Sequence, residues 1–208
     1  MKSASGFSLI ELIMSMALTL IILGIAVAAF SGALGSRERE SSRTDALTSA
    51  QAALNIMSRE IGNAGYGLTS NGIVYADSNS NQIHFRANVE NTGSSRLVTD
   101  LAGEDVTFYC ENCNGTTSGS VVRYDVVAGT SGIINRISDV DFTYYNYVYD
   151  PITRVVTVTP GAPGPNTGRV NIVLKVILAD VQGQPTNRIE RLSSDVTLRN
   201  STYMLGLY

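Results

Sequence analysis

Residues 12–36 read LIMSMALTLIILGIAVAAFSGALGS, twenty-five consecutive positions without an ionisable side chain. About 20 apolar residues in a helix cross the roughly 30 Å hydrocarbon core of a bilayer, so the run is long enough to span one. It also exceeds the roughly 7 to 15 residues of a secretory h-region. Ala26-Val27-Ala28 satisfies an A-x-A cleavage pattern, which makes an ordinary removed signal peptide the competing reading. The length of the run, Glu11 at its edge and a helical pattern that continues past Ala28 count against that reading.

Outward from the run, the segment Ser36-Arg37-Glu38-Arg39-Glu40-Ser41-Ser42-Arg43 is charged, as expected where a helix emerges into water. Leu47, Ala50, Leu54, Met57, Ile61 and Ala64 then recur at spacings of three and four, which places them on one helix face. No proline interrupts residues 7–65, and Gly62-Asn63-Ala64-Gly65-Tyr66-Gly67 supplies C-terminal capping residues. The expectation is one helix with an apolar membrane half over 7–35 and an amphipathic half over 36–65. Gly24, Gly32 and Gly35 weaken it by up to about 1 kcal/mol each relative to alanine, marking points of bending or of close helix approach.

Beyond Gly67 the helical period gives way to short runs rich in Val, Ile, Thr, Tyr and Phe, separated by Gly, Asn, Ser and Pro clusters. Residues 66–208 are therefore expected to form a β-rich head. Predicted strands are 73–76, 82–86, 105–109, 120–126, 133–137, 140–149, 155–159, 170–178 and 188–198, with Pro160 to Pro165 as a loop. A helix packed on a mainly antiparallel sheet is an α+β arrangement, and the sheet gives the apolar stripe of the second half-helix a place to be buried.

Composition narrows the function. The chain has 208 residues, a net charge of -3 and a pI near 5.1, so nothing in the overall balance draws it to nucleic acid. It has two cysteines, Cys110 and Cys113, and one histidine, His84, a thin inventory for acid–base or metal chemistry. With no serine-nucleophile context and no phosphate loop, the sequence weighs against an enzyme, and no cofactor is expected. Cys110-Glu111-Asn112-Cys113 has the C-x-x-C spacing of thiol exchange or half a zinc site, but no second cysteine pair or βαβ setting accompanies it. A structural disulfide across a tight turn of an exported hairpin is the favoured reading. Asp77-Ser78-Asn79-Ser80-Asn81 begins like a calcium loop, yet Gln82 stands where glycine is required and Asn88 where the bidentate glutamate belongs, so a polar turn is expected. His84 is expected to be an ordinary strand side chain. In Phe142–Tyr149, Thr143, Tyr145, Tyr147 and Tyr149 share one strand face, while Phe142, Tyr144 and Val148 share the other.

Gly6-Phe7-Ser8-Leu9-Ile10-Glu11, after a short leader containing Lys2, resembles the prepilin processing motif of type IV pilins and type II secretion pseudopilins. The resemblance joins a glycine before the cut, an aromatic new N-terminus, a glutamate five residues past the cut and an unbroken apolar helix. It implies a leader over residues 1–6, cleavage after Gly6 by a prepilin peptidase, methylation of the Phe7 amine, and an assembly role for Glu11. Arg59–Gly67 and Val196–Asn200 resemble the helix exit and tail of PilW-type minor pilins and of the bulkier pseudopilins. That similarity implies a minor pilin that initiates or caps a pilus, with other minor and major pilins as partners. The precursor would lie in the inner membrane, with its head in the periplasm or outside. A minor pseudopilin of a type II secretion system is the near alternative. A membrane-anchored adhesin that never polymerises is the alternative of a different class.

Overall fold

The structure is a computed structural model describing residues 8–89, 101–115, 118–178, 180, 186 and 188–201. Helix α1, Leu9–Gly62, runs unbroken for 54 residues, about 80 Å at 1.5 Å per residue. Ser8 is its extended N-cap, and the Ser8 carbonyl accepts from the amides of Glu11 and Leu12. At the other end Asn63 and Ala64 donate back to Glu60 and Ile61, and the chain turns away at Gly65 with φ +78. Gly65 and Gly72, both left-handed, lie against one another, and a Cβ on Gly72 would strike Gly65 and the Arg86 carbonyl. This contact closes the loop onto the first strand, with Gly65 N–H donating to the Arg86 carbonyl and Arg86 N–H to that of Gly72.

Among the described residues seven antiparallel strands form one sheet: β1 Gln82–Arg86, β2 Asp105–Glu111, β3 Gly119–Asp125, β4 Gly129–Asp150, β5 Val155–Gly161, β6 Thr167–Ile177 and β7 Ile189–Thr197. The order is β1-β2-β3-β4-β6-β7, with β5 attached to β4 alone. The fold is α+β, as the sequence predicts. Ala50, Ala53, Leu54, Met57 and Ile61 of α1 are at most 1% exposed and meet the apolar face of the sheet, including Ile83, Phe108, Ile137, Ile172 and Leu174. Phe85 and Phe108 pair across β1 and β2 with ring centroids 5.8 Å apart.

Three local expectations are corrected. Residues 73–76 do not form a strand: Ile73 makes a single bridge to Phe85, then Tyr75–Asp77 is a 3-10 turn. Asn71 explains the early departure, since its buried side chain donates to the carbonyls of Gly164 and Thr167 and accepts from the Ile73 amide, pinning the segment away from the sheet. The separate strands 133–137 and 140–149 are one 22-residue strand, β4, whose register against β6 shifts between Ile137 and Asp139. That bulge absorbs the break that Ser138 and Asp139 signal in sequence. Pro160 and Gly161 belong to β5 rather than to the loop, which is tolerated because β5 is an edge strand.

Candidate assembly interface

The two halves of α1 have opposite surroundings. From Leu9 to Leu34 the large apolar side chains are between 49% and 78% exposed, on every face of the helix, and none of the described head residues covers them. A helix apolar all round is stable only inside a membrane or a helix bundle. Two of its hydroxyls, those of Ser15 and Thr19, are satisfied internally, donating to the carbonyls of Leu12 and Ser15, so neither carries an unpaired donor into an apolar medium. α1 is the one helix among the described residues long and apolar enough to cross a membrane. Gly24, Gly32 and Gly35 have open space where a Cβ would sit, so no contact among the described residues requires glycine there.

Glu11 stands at the outer end of this half, in the first helical turn, where the helix dipole favours a carboxylate. Its side chain is exposed, with no partner among the described residues. Gly6 and Phe7 lie outside the described residues. The result is an uncovered apolar rod bearing a single acid near its tip.

The second half of α1 is fixed to the head by polar ties as well as by the core. Ser58 and Ser194 hydroxyls are 2.9 Å apart, Asn200 donates to the Ala64 carbonyl, and Arg43 approaches Glu190 at 3.5 Å. Arg123 of β3 reaches Glu60 at 2.9 Å and Asp125 at 3.0 Å. Burial acts to raise the Asp125 pKa, but the amides of Ala128, Val127 and Gly103, together with Arg123, outweigh it and hold the carboxyl below its ordinary value.

Cys110 and Cys113 form a disulfide at the end of β2. Asn112 adopts φ 59 between them, a conformation asparagine accepts more readily than most residues. Gly119 opposite leaves room for the bridge, since a Cβ there would collide with the Cys113 sulfur. Asp77 to Asn81 is a turn whose oxygens bond within the chain: Asn79 accepts from the Asn81 amide, and Asp77 lies 3.0 Å from His84 Nδ1. His84 sits in β1 but is more than an ordinary strand residue. Its Nε2 is 2.6 Å from Asp105, which also accepts from Arg86, so the ring fastens the 3-10 turn to β2. Phe142 and Tyr144 face the core and Tyr145 and Tyr147 the other side, as alternation predicts, with Arg169 stacked 4.0 Å over the Tyr145 ring. Val148 is exposed because β4 has by then left the core.

Residues 1–27 match the family described as the Prokaryotic N-terminal methylation motif. No curated protein and no solved structure matches the chain. The motif supports a type IV pilin-like protein, a structural rather than catalytic family. It implies processing by a prepilin peptidase and assembly with other pilins, and with the apolar helix it points to membrane anchoring of the precursor.

Proposed function

We propose that this chain is a minor type IV pilin, held in the inner membrane by residues 7–35, cleaved after Gly6, methylated at Phe7 and then drawn into a filament where it helps to initiate or cap a pilus. The observation that carries this reading is the uncovered half of α1: a helix apolar on all sides with one carboxylate near its end, continuing into a second half that packs on the sheet. In the membrane such a rod is solvated by lipid, and in a fibre by neighbouring rods of the same kind. A carboxylate in an apolar setting costs about 2.5 to 3.5 kcal/mol at a helix centre on insertion scales, so its retention calls for a partner. A neighbouring subunit's processed amine at Phe7 supplies the opposite charge and fixes the register of otherwise slippery helices.

Glu11→Val tests this assignment, because it makes the helix more apolar and so separates insertion from assembly. The variant should insert and be cleaved as the parent is, yet be depleted from sheared filaments and from crosslinked pilin complexes. Recovery at the parental ratio to its partners would remove Glu11 from any assembly role.

A further inference from the structure

The imidazole of His84 faces more acceptors than a neutral ring can serve. It lies in β1 with its side chain 12% exposed, and its two ring nitrogens meet two different carboxylates: Nδ1 is 3.0 Å from Asp77 and Nε2 is 2.6 Å from Asp105. A neutral imidazole has one N–H and one lone pair, so it satisfies one of these contacts and sets its lone pair against the other. An imidazolium donates through both. A proton on Asp105 instead of the ring is opposed by Arg86, whose Nε donates to the second Asp105 oxygen at 2.8 Å in a charge-assisted bond that calls for a carboxylate. The charges meeting the ring are therefore one carboxylate from the 3-10 turn, one from β2 and, through Asp105, one guanidinium from β1 itself. The other titratable side chains on that face are phenols. Tyr109 lies two residues along β2 from Thr107, the partner of His84, and Tyr124 of β3 pairs with Thr107 from the other side.

The two contacts are not equally firm. Asp105 has its side chain 8% exposed and is fixed by Arg86 and by strand pairing. Asp77 ends the 3-10 turn Tyr75–Asp77 at the surface, with its side chain 55% exposed. A ring with a single N–H keeps Asp105 and yields Asp77 to water, which solvates a carboxylate well. The turn's own bonds are long: the Asp77 amide donates to the Val74 carbonyl at 3.3 Å and the Ser78 amide to that of Tyr75 at 3.4 Å. Ser78 then exchanges bonds with the His84 backbone, and Gln82 donates to the Asp77 carbonyl. On the far side the Tyr75 hydroxyl is 3.4 Å from Asn71 Oδ1, and Asn71 holds the carbonyls of Gly164 and Thr167. The turn thus stands between β2 and the entry to β6.

We propose that His84 is a pH-sensitive clasp: protonated, it fastens the Tyr75–Asp77 turn to β2, and on losing its proton it releases the turn at Asp77 while β1 and β2 stay paired. The sign is the reverse of that for a paired carboxylate such as Asp125. The tie is present on the acid side of the range of about pH 5 to 8 in which histidine changes charge, and is lost as the pH rises through it. The clasp belongs to the head and does not depend on whether the chain polymerises.

The chain has one histidine, so the full chain in detergent, made without a histidine tag and labelled with ¹⁵N-histidine, reports this ring alone by NMR. At about pH 6 both ring nitrogens should carry a proton, and toward about pH 8 the ring should pass to the form with its single N–H on Nε2. Over the same titration, amide exchange at Asp77 and Ser78, corrected for its intrinsic pH dependence, should quicken several-fold, while the β1 and β2 amides stay protected. Asp77→Asn should move the ring titration to lower pH and leave exchange in the turn independent of the ring's charge. A ring with one N–H throughout overturns the proposal, as does a ring that titrates while the turn amides do not respond. Equal titration of the ring in the parent and in Asp77→Asn would remove Asp77 as its partner and overturn it too.

Discussion

Asp125 ends β3 fully buried, and it is the acceptor on which the β3–β4 turn converges. Gly103, Val127 and Ala128 amides all donate to it, and Arg123 uses it to reach the helix. Asp125→Ala leaves these donors without an acceptor and is expected to cost roughly 3 to 5 kcal/mol, as for a buried charge pair that loses one member. The pH dependence has a definite sign. The folded pKa lies below the unfolded value of about 3.9, so the stabilisation is present above that pH and is lost as the pH falls through the folded pKa. Thermal unfolding of the detergent-solubilised chain, followed by tyrosine near-UV circular dichroism, should show the parent's acid destabilisation below about pH 4 reduced in Asp125→Asn. An unchanged acid limb would mean that other carboxylates dominate it. Sequence reading missed this residue because nothing in a strand-end Asp ahead of Val126-Val127-Ala128-Gly129 distinguishes a buried hub from an exposed turn. His84 is comparable: its two aspartate partners are 7 and 21 residues away and meet it only through strand pairing.

Among the elements, α1 was the most legible, because its signals are local and repeated. The stripe Ala50, Leu54, Met57, Ile61 and Ala64 is buried as the period predicts, and Ala53 joins it one helical step from Ala50. Leu47 is only half-buried, since the head does not close fully around that level of the helix. The head was read less well where its elements depend on distant partners. The Ile73 segment has strand composition but is bent by Asn71 bonds to residues more than 90 positions away. β4 was divided at Ser138-Asp139 because a bulge and a turn look alike in sequence. The core reading yields a magnitude: Met57→Ala should destabilise the head by roughly 2 to 5 kcal/mol. Met14→Ala, at a side chain 67% exposed in the described chain, should leave head unfolding unchanged. Comparing the two melting curves checks the division of α1 into an anchoring half and a packed half.

At the scale of the molecule, the separation of tasks is physical. The sheet closes its core with the second half of α1 and carries its own disulfide, so this unit can fold while the apolar first half of α1 remains in lipid. That half is uncovered by any described part of the chain, and the proposed exchange of lipid for neighbouring helices requires a free amine at the correct end. The candidate assembly residues were legible from sequence because they form one short linear motif, Gly6-Phe7 with Glu11. N-terminal sequencing with intact-mass measurement of the chain from its native host tests the central claim most directly. The account predicts a polypeptide beginning at methylated Phe7, with α1 retained whole. A chain beginning at Ala29, cut after Ala26-Val27-Ala28, would have lost its anchor and assembly helix and would contradict it.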